Sequence, residues 1–186
     1  MNDKVLWVTG ASSGIGAAVA NKFASKGWKV AVSARRVELL DELAKHENIF
    51  SYPLDVTDAI KLKEVFNKIV NDLGKVDMCI LSSGTYERKS EKEIDVNNIR
   101  NVIEVNFLGV INSVGAVESY FKNKNSGHIA IVSSPVGYRG LPKSSGYTPS
   151  KAALNNFTQG IYFDFIKYNV RVSLICPGFI KTALTD

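Results

Sequence analysis

Residues 9–16 have the sequence Thr9-Gly10-Ala11-Ser12-Ser13-Gly14-Ile15-Gly16, between a short apolar run and a segment with helical spacing of apolar residues. Glycine is needed where a chain turns tightly and where backbone must approach a pyrophosphate without an intervening Cβ. A helix that begins near Ile15 would direct free N–H groups and the positive end of its dipole at that phosphate. No lysine follows at the spacing of an ATP-type loop. We therefore predict a dinucleotide-binding turn, with an ordinary tight turn as the alternative.

The apolar pattern around this turn alternates between short and long segments. Short runs rich in β-branched residues predict six strands buried on both faces, at 5–9, 28–34, 49–54, 76–82, 128–133 and 170–176. Helical spacing covers about 17–26, 37–45, 59–73, 96–122 and 148–168. Regular alternation of strand and helix predicts an α/β fold, a doubly wound parallel sheet with helices on both faces. Because no linker or repeat divides the sequence, residues 1–186 are expected to form a single domain.

Composition excludes several classes of protein. The 186 residues are 45% hydrophobic, which argues against disorder, and the formal net charge is +5. Basic residues are interspersed with acidic ones, so we expect no nucleic-acid partner. The longest uncharged stretch, residues 5–21, is interrupted by glycine and serine, and Asp3 and Lys4 precede it; we expect no membrane span, no signal peptide and a cytoplasmic location. Cys79 and Cys176 lack zinc or redox spacing and are expected inside buried strands, so no metal site is predicted.

The residues after the second predicted strand bear on the choice of dinucleotide. They are Ser33-Ala34-Arg35-Arg36, and no carboxylate follows before Glu38. An acidic residue there would bind a ribose 2′-hydroxyl, whereas arginine suits a 2′-phosphate. A guanidinium holds a phosphate through two parallel hydrogen bonds. NADP(H) is therefore favoured over NAD(H); the alternative is that both arginines merely cap a solvated helix start.

A tyrosine and a lysine four residues apart open the last predicted helix. Residues at this spacing share a helix face, so the Tyr147 hydroxyl and the Lys151 ammonium can face one cleft. A free tyrosine has a pKa of about 10, and a nearby cation lowers it towards neutrality. The pair alone often arises by chance. Ser133-Ser134 close the fifth strand, at the sheet edge where ligands bind, and Asn106 is an amide within the long helix that needs a partner.

Together these features resemble the short-chain dehydrogenase/reductase family over residues 4–182. The resemblance implies a Rossmann fold and hydride transfer between NADP(H) and a carbonyl or alcohol substrate. The matching elements are residues 9–16, Asp55-Val56-Thr57-Asp58, Asn106, Ser134, Tyr147 with Lys151, and Pro177-Gly178-Phe179-Ile180-Lys181-Thr182.

The resemblance also implies a role for each matching position. Tyr147 would exchange a proton with the substrate oxygen, and Ser134 would hydrogen-bond that oxygen. Lys151 would lower the pKa of the tyrosine and bind the nicotinamide ribose, while Asn106 would hold a water that links Lys151 to solvent. Asp55 would bind the adenine, and residues 177–182 would meet the nicotinamide. The implied cofactor contacts are Thr9, Gly10, Ser12, Ser13, Gly14, Ile15, Gly16, Arg35, Arg36, Asp55, Val56, Ser83, Gly84, Tyr147, Lys151, Pro177, Gly178, Ile180 and Thr182.

The sequence departs from the family pattern in two places. Leu81-Ser82-Ser83-Gly84 stands where members usually have Asn-Asn-Ala-Gly, so we expect altered local hydrogen bonding. Members usually continue past Pro-Gly with a substrate-binding segment, a further helix and a seventh strand, whereas this sequence ends at Asp186. Either it is a fragment or the protein is C-terminally short and lacks that lid. By resemblance, the helices that contain Asn106 and Tyr147 would pair between subunits in a homodimer or homotetramer.

Two functional hypotheses follow. The intact set of Asn106, Ser134, Tyr147 and Lys151 favours an NADP-dependent enzyme, and the short C-terminus favours a non-catalytic NADP-binding redox sensor or interaction module. The residues expected to rim the substrate pocket are mostly apolar or aromatic and suggest a hydrophobic carbonyl compound; they are Tyr86, Pro135, Val136, Tyr138, Arg139 and Leu141.

Overall fold

The computed structural model of the chain describes residues 4–86 and 94–180. Within these residues the strands are β1 (Val5–Thr9), β2 (Lys29–Ser33), β3 (Ile49–Ser51), β4 (Met78–Leu81), β5 (Gly127–Val132) and β6 (Val170–Ile175). They form one sheet in the order β3-β2-β1-β4-β5-β6, and all neighbouring pairs are parallel. The chain moves outward from β1 to β3 and then crosses to β4, so the strand order reverses between β1 and β4. The predicted doubly wound sheet is confirmed, and ligands bind such sheets at that reversal point.

Six α-helices connect the described strands: α1 (Gly14–Ala24), α2 (Val37–Leu43), α3 (Ala59–Leu73), α4 (Val96–Ile103), α5 (Gly109–Lys124) and α6 (Tyr147–Ile166). Two of them begin with an aspartate whose side chain accepts a backbone N–H of the first turn. Asp58 accepts from Lys61 at the start of α3, and Asp95 accepts from Asn98 at the start of α4. Gly74 ends α3 with φ +83°, a conformation that favours glycine.

The long helix predicted over 96–122 is interrupted. A single π turn, Glu104–Leu108, separates α4 from α5. The wider turn changes the direction of the side chains that follow, and such turns occur often at functional sites. Gly109, directly after it, packs on Val56; a Cβ at this position would lie 2.6 Å from Val56 Cγ2. Asn106 lies within the turn and is fully buried.

Both faces of the sheet are covered by apolar layers. Successive residues of β1 alternate between them: Val5 and Trp7 enter the layer under α3, α5 and α6, while Leu6 and Val8 enter the layer under α1 and α2. All four side chains have 0% exposure. Burial on both faces explains why the strand sequences are apolar without alternation.

The segment Val96–Lys124 is 29 residues long and apolar enough to pass a length-and-composition criterion for a membrane span. Its apolar side chains Val110, Val114, Val117 and Phe121 lie in the core against the sheet. Packing in the core accounts for its composition. The expected absence of a membrane partner stays a prediction, as does the single-domain organisation of residues 1–186.

Candidate active site

The glycine-rich turn between β1 and α1 is pressed against the end of β4. Gly10 has φ +68° and Gly14 has φ +56°, both in the left-handed region. A Cβ on Gly10 would lie 2.7 Å from the Cα and N of Ser83, and one on Gly16 would lie 2.5 Å from the Gly10 oxygen. These positions require glycine because backbone approaches backbone.

The first turn of α1 has no side-chain cap. Ser13 occupies the N-cap position, but its hydroxyl does not bond the helix N–H groups. It accepts a hydrogen bond from Arg36 instead. The positive end of the α1 dipole therefore faces the end of the sheet with donors available to an anion.

Arg36 folds over the glycine turn. Its Nε and Nη2 atoms donate to Ser12 Oγ at 3.1 and 2.8 Å, and Nη2 donates to Ser13 Oγ at 2.6 Å. Arg35 lies beside it, with Nη1 3.9 Å from Asp55 Oδ2. Arg36 is the N-cap residue of α2, but its side chain makes no cap hydrogen bond. Both arginines are exposed, so the alternative that they merely cap a solvated helix start stays open.

A cavity of about 310 Å³ opens between these elements, at the reversal point of the sheet. Its volume lies at the lower end of the range for small-molecule sites, about 300–1,000 Å³. The cavity collects most of the predicted cofactor contacts of the N-terminal half of the chain. Its lining residues are Gly10, Ser12, Ser13, Gly14, Ile15, Gly16, Ala34, Arg35, Arg36, Leu54, Asp55, Val56, Ser82, Ser83, Gly84 and Val105.

Thr9 differs from the other predicted cofactor contacts of the turn. It is buried in β1 beneath the turn and does not line the cavity. Its carbonyl oxygen accepts the Ser82 hydroxyl at 2.6 Å. The altered local hydrogen bonding expected for Leu81-Ser82 stays a prediction.

Asp55 is held at the cavity wall by its own loop. Its Oδ1 accepts from the Thr57 backbone N–H at 3.0 Å and from the Thr57 hydroxyl at 2.9 Å. The second oxygen, Oδ2, faces Arg35. Two hydrogen bonds to Oδ1 and an ion pair at 3.9 Å to Oδ2 thus orient the carboxylate.

Tyr147 and Lys151 lie at the same edge of the sheet, in the first two turns of α6. Lys151 is 4% exposed, and its Nζ donates to the Val132 carbonyl at 3.0 Å. The same Nζ lies 5.6 Å from the centroid of the Tyr147 ring. It also lies 4.0 Å from the position of a Cβ built on Gly84, next to the large cavity. The lysine thus stands between the tyrosine and the cavity.

The protonation of this pair differs from the expectation. Burial lowers the pKa of Lys151 to about 8. Burial is also the main cause that raises the pKa of Tyr147 above its usual value, partly offset by a hydrogen bond with Ser134. In the protein without a ligand the net shift of the tyrosine pKa is therefore opposite to the expected one, because burial outweighs the effect of the neighbouring ammonium. The physical reason is that the ammonium is directed at the Val132 carbonyl, while the phenolate would lose its hydration.

The two serines that close β5 have different surroundings. The Ser134 hydroxyl hydrogen-bonds Tyr147 and accepts the Val136 N–H at 3.4 Å, at the start of a 3₁₀ turn, Pro135–Gly137. The Ser133 hydroxyl donates to Asn155 Oδ1 at 2.6 Å and to the Lys151 carbonyl at 3.2 Å. Ser134 is thus the serine that contacts the Tyr147 hydroxyl, whereas Ser133 links α6 to the sheet.

Asn106 is fully engaged by protein groups. Its Oδ1 accepts the Thr85 N–H at 2.7 Å, and its Nδ2 donates to the Thr85 carbonyl at 3.0 Å and to Ser150 Oγ at 3.2 Å. Its side-chain amide therefore joins three segments: the π turn, the chain after β4 and the first turn of α6. A Cβ on Gly84 would lie 3.5 Å from Asn106 Oδ1, so the amide approaches the lysine across this glycine.

Residues after β6 reach the same edge from the other side. Strand β6 ends at Ile175, so Cys176 is half-buried outside the strand, and the expectation of a strand-core cysteine is wrong there; Cys79 is buried in β4 as predicted. Cys176 hydrogen-bonds Tyr138 and lies near Lys151. None of the cavity-lining residues comes from the described part of the predicted nicotinamide segment, Pro177, Gly178 and Ile180. Thr182 lies outside the described residues.

Among the predicted rim residues, Tyr86 is the one in contact with the tyrosine of α6. The two rings meet edge to face with centroids 4.9 Å apart. Tyr138 and Leu141 are exposed. Sequence reasoning missed Ser150, a fully buried serine that links Asn106 to Tyr147; its one signal is a hydroxyl between the tyrosine and the lysine on an otherwise apolar helix face.

Together, the doubly wound sheet and the glycine turn at its reversal point define a nucleotide-binding α/β protein, and the buried tyrosine–lysine pair beside them is typical of an oxidoreductase. The sequence model of the short chain dehydrogenase family matches residues 4–186, and the chain belongs to this family. Within the described residues, no group of three or more histidine, cysteine or acidic side chains could hold a metal ion.

Relatives and solved structures agree with this assignment. The chain is 36% identical over 191 residues to an uncharacterized oxidoreductase of Staphylococcus saprophyticus, covering 100% of this chain and 82% of the relative. It is 34% identical to the 3-oxoacyl-(acyl-carrier-protein) reductase FabG of Thermotoga maritima, covering 100% of this chain and 78% of that protein. The structure of ElxO with NADP bound superposes with a TM-score of 0.90 at 29% identity, over 97% of this chain and 75% of the other.

Proposed function

We propose that the chain is an NADP(H)-dependent oxidoreductase that interconverts a carbonyl and an alcohol, with Tyr147 as the proton-transfer group. The observation that carries this proposal is the meeting of Ser134, Tyr147 and buried Lys151 at the sheet edge that also holds the arginine-flanked cavity. A fold of this kind alone supports many activities, so the argument rests on these side chains.

The cavity fits the adenosine half of a dinucleotide that carries a 2′-phosphate. The glycine turn lines the cavity, and the uncapped first turn of α1 offers donors to a pyrophosphate. Arg35 and Arg36 lie at the end of β2, where the cofactor ribose is held in this fold. The two guanidinium groups favour an additional phosphate over a bare hydroxyl. ElxO, the solved structure described above, has NADP bound.

When bound, NADPH supplies the hydride that reaches the carbonyl carbon. The chain's own residues handle the proton. Ser134 hydrogen-bonds the Tyr147 hydroxyl. A substrate oxygen at the site would accept hydrogen bonds from these two hydroxyl groups. The raised pKa of Tyr147 keeps the phenol protonated near neutral pH, as an acid in carbonyl reduction requires. Lys151, largely protonated at neutral pH with its pKa of about 8, stabilises the phenolate left behind.

The substrate class is a hydrophobic carbonyl compound. The ring of Tyr86 packs against Tyr147, the proton-transfer group, and the predicted rim residues Tyr138 and Leu141 are exposed. FabG, one of the relatives, is a 3-oxoacyl reductase. A ketone on an acyl chain is therefore one of the substrates to assay first.

The assembly is a homodimer or homotetramer. The outer face of α6 exposes Tyr162, Phe163 and Ile166, with Phe163 72% exposed. Adjacent large apolar side chains at a surface favour burial in a contact between subunits. The cytoplasmic location and the absence of nucleic-acid and membrane partners rest on the sequence alone.

One experiment separates this proposal from a non-catalytic NADP-binding sensor. NADPH and NADH binding is followed by fluorescence titration, and turnover is measured on ketones and aldehydes of increasing chain length with wild type and Tyr147→Phe. The enzyme is expected to bind NADPH more tightly than NADH and to reduce apolar carbonyls, whereas Tyr147→Phe binds NADPH without turnover. Binding with no turnover by wild type on any substrate favours the sensor.

A further inference from the structure

Two tyrosines from distant parts of the chain meet at the site. Tyr86 lies after β4 and Tyr147 begins α6, yet their rings are 4.9 Å apart between centroids, at an interplanar angle of 80°. The edge of one ring thus faces the face of the other, the arrangement that aromatic pairs prefer. Both residues also line a small cavity of about 10 Å³ beside the first turn of α6.

The backbone that carries Tyr86 is fixed by a side chain of the π turn. Asn106 accepts the Thr85 N–H at 2.7 Å and donates to the Thr85 carbonyl at 3.0 Å. Two bonds to one residue fix the orientation of the backbone that precedes Tyr86. Since Asn106 is fully buried, this pair of bonds is shielded from competing water.

The same amide is tied to the backbone that carries Tyr147. Asn106 Nδ2 donates to the Ser150 hydroxyl at 3.2 Å, and this hydroxyl donates to the Tyr147 carbonyl at 2.6 Å. Ser150 has 0% exposure. One buried amide therefore links the segment that carries Tyr86 to the segment that carries Tyr147. The contact between the two rings is a second link between the same segments.

We propose that Tyr86 is a positioning residue that holds the Tyr147 phenol towards Ser134 and excludes water from it. The proposal rests on the proposed function, since it gives Tyr86 a role in the reaction of the same site. The contact requires the ring and not the hydroxyl of Tyr86. Accordingly, Tyr86→Phe keeps the effect, and Tyr86→Ala loses it.

Removal of the ring has two consequences with known signs. Water gains access to Tyr147, so the burial that raises the pKa of this phenol is relieved and the pKa falls towards its usual value. Loss of the Ser134 hydrogen bond acts in the opposite direction, but burial is the larger of the two causes. The phenol also gains rotational freedom, which lowers the fraction of molecules with a productive geometry. A purely structural role of Tyr86 would change stability but would give Tyr147 the same titration in Tyr86→Ala as in Tyr86→Phe, since both lack the Tyr86 hydroxyl.

The first test needs no turnover. Protein labelled at the tyrosine ζ-carbon is titrated by NMR, and the Tyr147 signal is assigned by its loss in Tyr147→Phe. We expect a lower titration midpoint for Tyr147 in all three Tyr86 variants, because each removes the hydroxyl whose charge raises the pKa of Tyr147. The drop should be larger in Tyr86→Ala and Tyr86→Leu, which also remove the ring, than in Tyr86→Phe. Tyr168→Ala removes a ring remote from the site and is the matched control, with an unchanged midpoint. A drop in Tyr86→Ala and Tyr86→Leu that is no larger than the drop in Tyr86→Phe, with the fold intact, overturns the proposal.

The second test uses the reaction. In carbonyl reduction, where the protonated phenol is required, the loss of activity at high pH should begin at lower pH in Tyr86→Ala than in wild type. The value of kcat should fall about tenfold, as expected for a lost orienting contact, while Tyr86→Phe keeps the wild-type kcat. An unchanged pH profile in Tyr86→Ala contradicts the proposal. If wild type turns over no substrate, the proposed function fails, and the NMR titration still decides the role of Tyr86.

Discussion

The Nζ atom of Lys151 donates a hydrogen bond to the carbonyl oxygen of Val132, 3.0 Å away at the end of β5. The lysine is thereby anchored to the sheet instead of to the phenol, although it lies only one helical turn from Tyr147. This anchor holds an almost fully buried ammonium at the sheet edge, in reach of the cavity and of the tyrosine. A charge kept in such a place costs stability, and this cost is measurable.

Lys151→Met should remove a contribution to stability that rises with pH in the alkaline range. The pKa of Lys151 lies at about 8 in the folded protein against 10.5 ordinarily, so between these values the unfolded chain binds more protons. Stability therefore rises with pH across this window, by at most about 3 kcal/mol, and the rise is complete above pH 10.5. The measurement is urea unfolding of wild type and variant from neutral pH to about pH 10. The difference between them isolates the lysine from tyrosines and Cys79, which titrate with the opposite sign. A pH-independent difference would contradict the shifted pKa.

Substitution of Arg36 should weaken NADPH binding selectively. Its three hydrogen bonds to Ser12 and Ser13 place the guanidinium at the glycine turn. A charged hydrogen bond to a phosphate contributes about 1.5–3 kcal/mol, so Arg36→Ala should raise the Kd for NADPH by roughly ten- to a hundredfold. Arg36→Lys should recover only part of this, because lysine lacks the planar pair of donors. Fluorescence titration with NADPH and NADH provides the measurement.

The control for this prediction is an arginine away from the site. Arg171→Ala removes an exposed arginine of β6 and should leave both affinities unchanged. Equal losses of NADPH and NADH affinity in Arg36→Ala would mean that the arginine supports the turn and does not discriminate the 2′-phosphate.

Two helical glycines, Gly16 at the glycine turn and Gly115 in α5, permit a matched comparison. A Cβ on Gly16 would lie 2.5 Å from the Gly10 oxygen, whereas a Cβ on Gly115 in α5 meets nothing within 4 Å. We expect Gly16→Ala to lower the thermal midpoint and to weaken NADPH binding, since backbone must shift to admit the methyl group. Gly115→Ala should stabilise the protein by about 1 kcal/mol, from helix propensity alone. Thermal unfolding with and without NADPH measures both, and retention of full NADPH affinity by Gly16→Ala would contradict the close approach.

The sheet was predictable from sequence because burial on both faces leaves an unmistakable apolar pattern in each strand. The glycine turn was equally visible, since its glycines are required by positive φ and by contact with Ser83. The π turn at Asn106 was not predictable, because apolar spacing does not distinguish an inserted residue from a continuous helix.

The pKa shifts of Tyr147 and Lys151 could not be predicted from the sequence, for a different reason. The four-residue spacing of Tyr147 and Lys151 predicts a shared helix face but not how deeply each is buried or which acceptor the ammonium meets. Burial and the Val132 carbonyl, both tertiary features, determine the shifts in pKa. The position of Cys176 beyond the end of β6 depends likewise on where strand pairing stops.

The adjacent serines at the end of β5 should respond in opposite ways to the same substitution. Ser134 hydrogen-bonds the Tyr147 hydroxyl, so Ser134→Ala should lower kcat/KM on the order of a hundredfold, as for the loss of a donor to a developing oxyanion, with little change in stability. Ser133 bonds the buried Asn155, whose Nδ2 already lacks a partner, so Ser133→Ala should cost about 1–3 kcal/mol of stability. Urea unfolding and steady-state kinetics of the two variants, side by side, measure both effects. Because each serine is the other's control, a loss of activity in Ser133→Ala with unchanged stability would exchange the two roles.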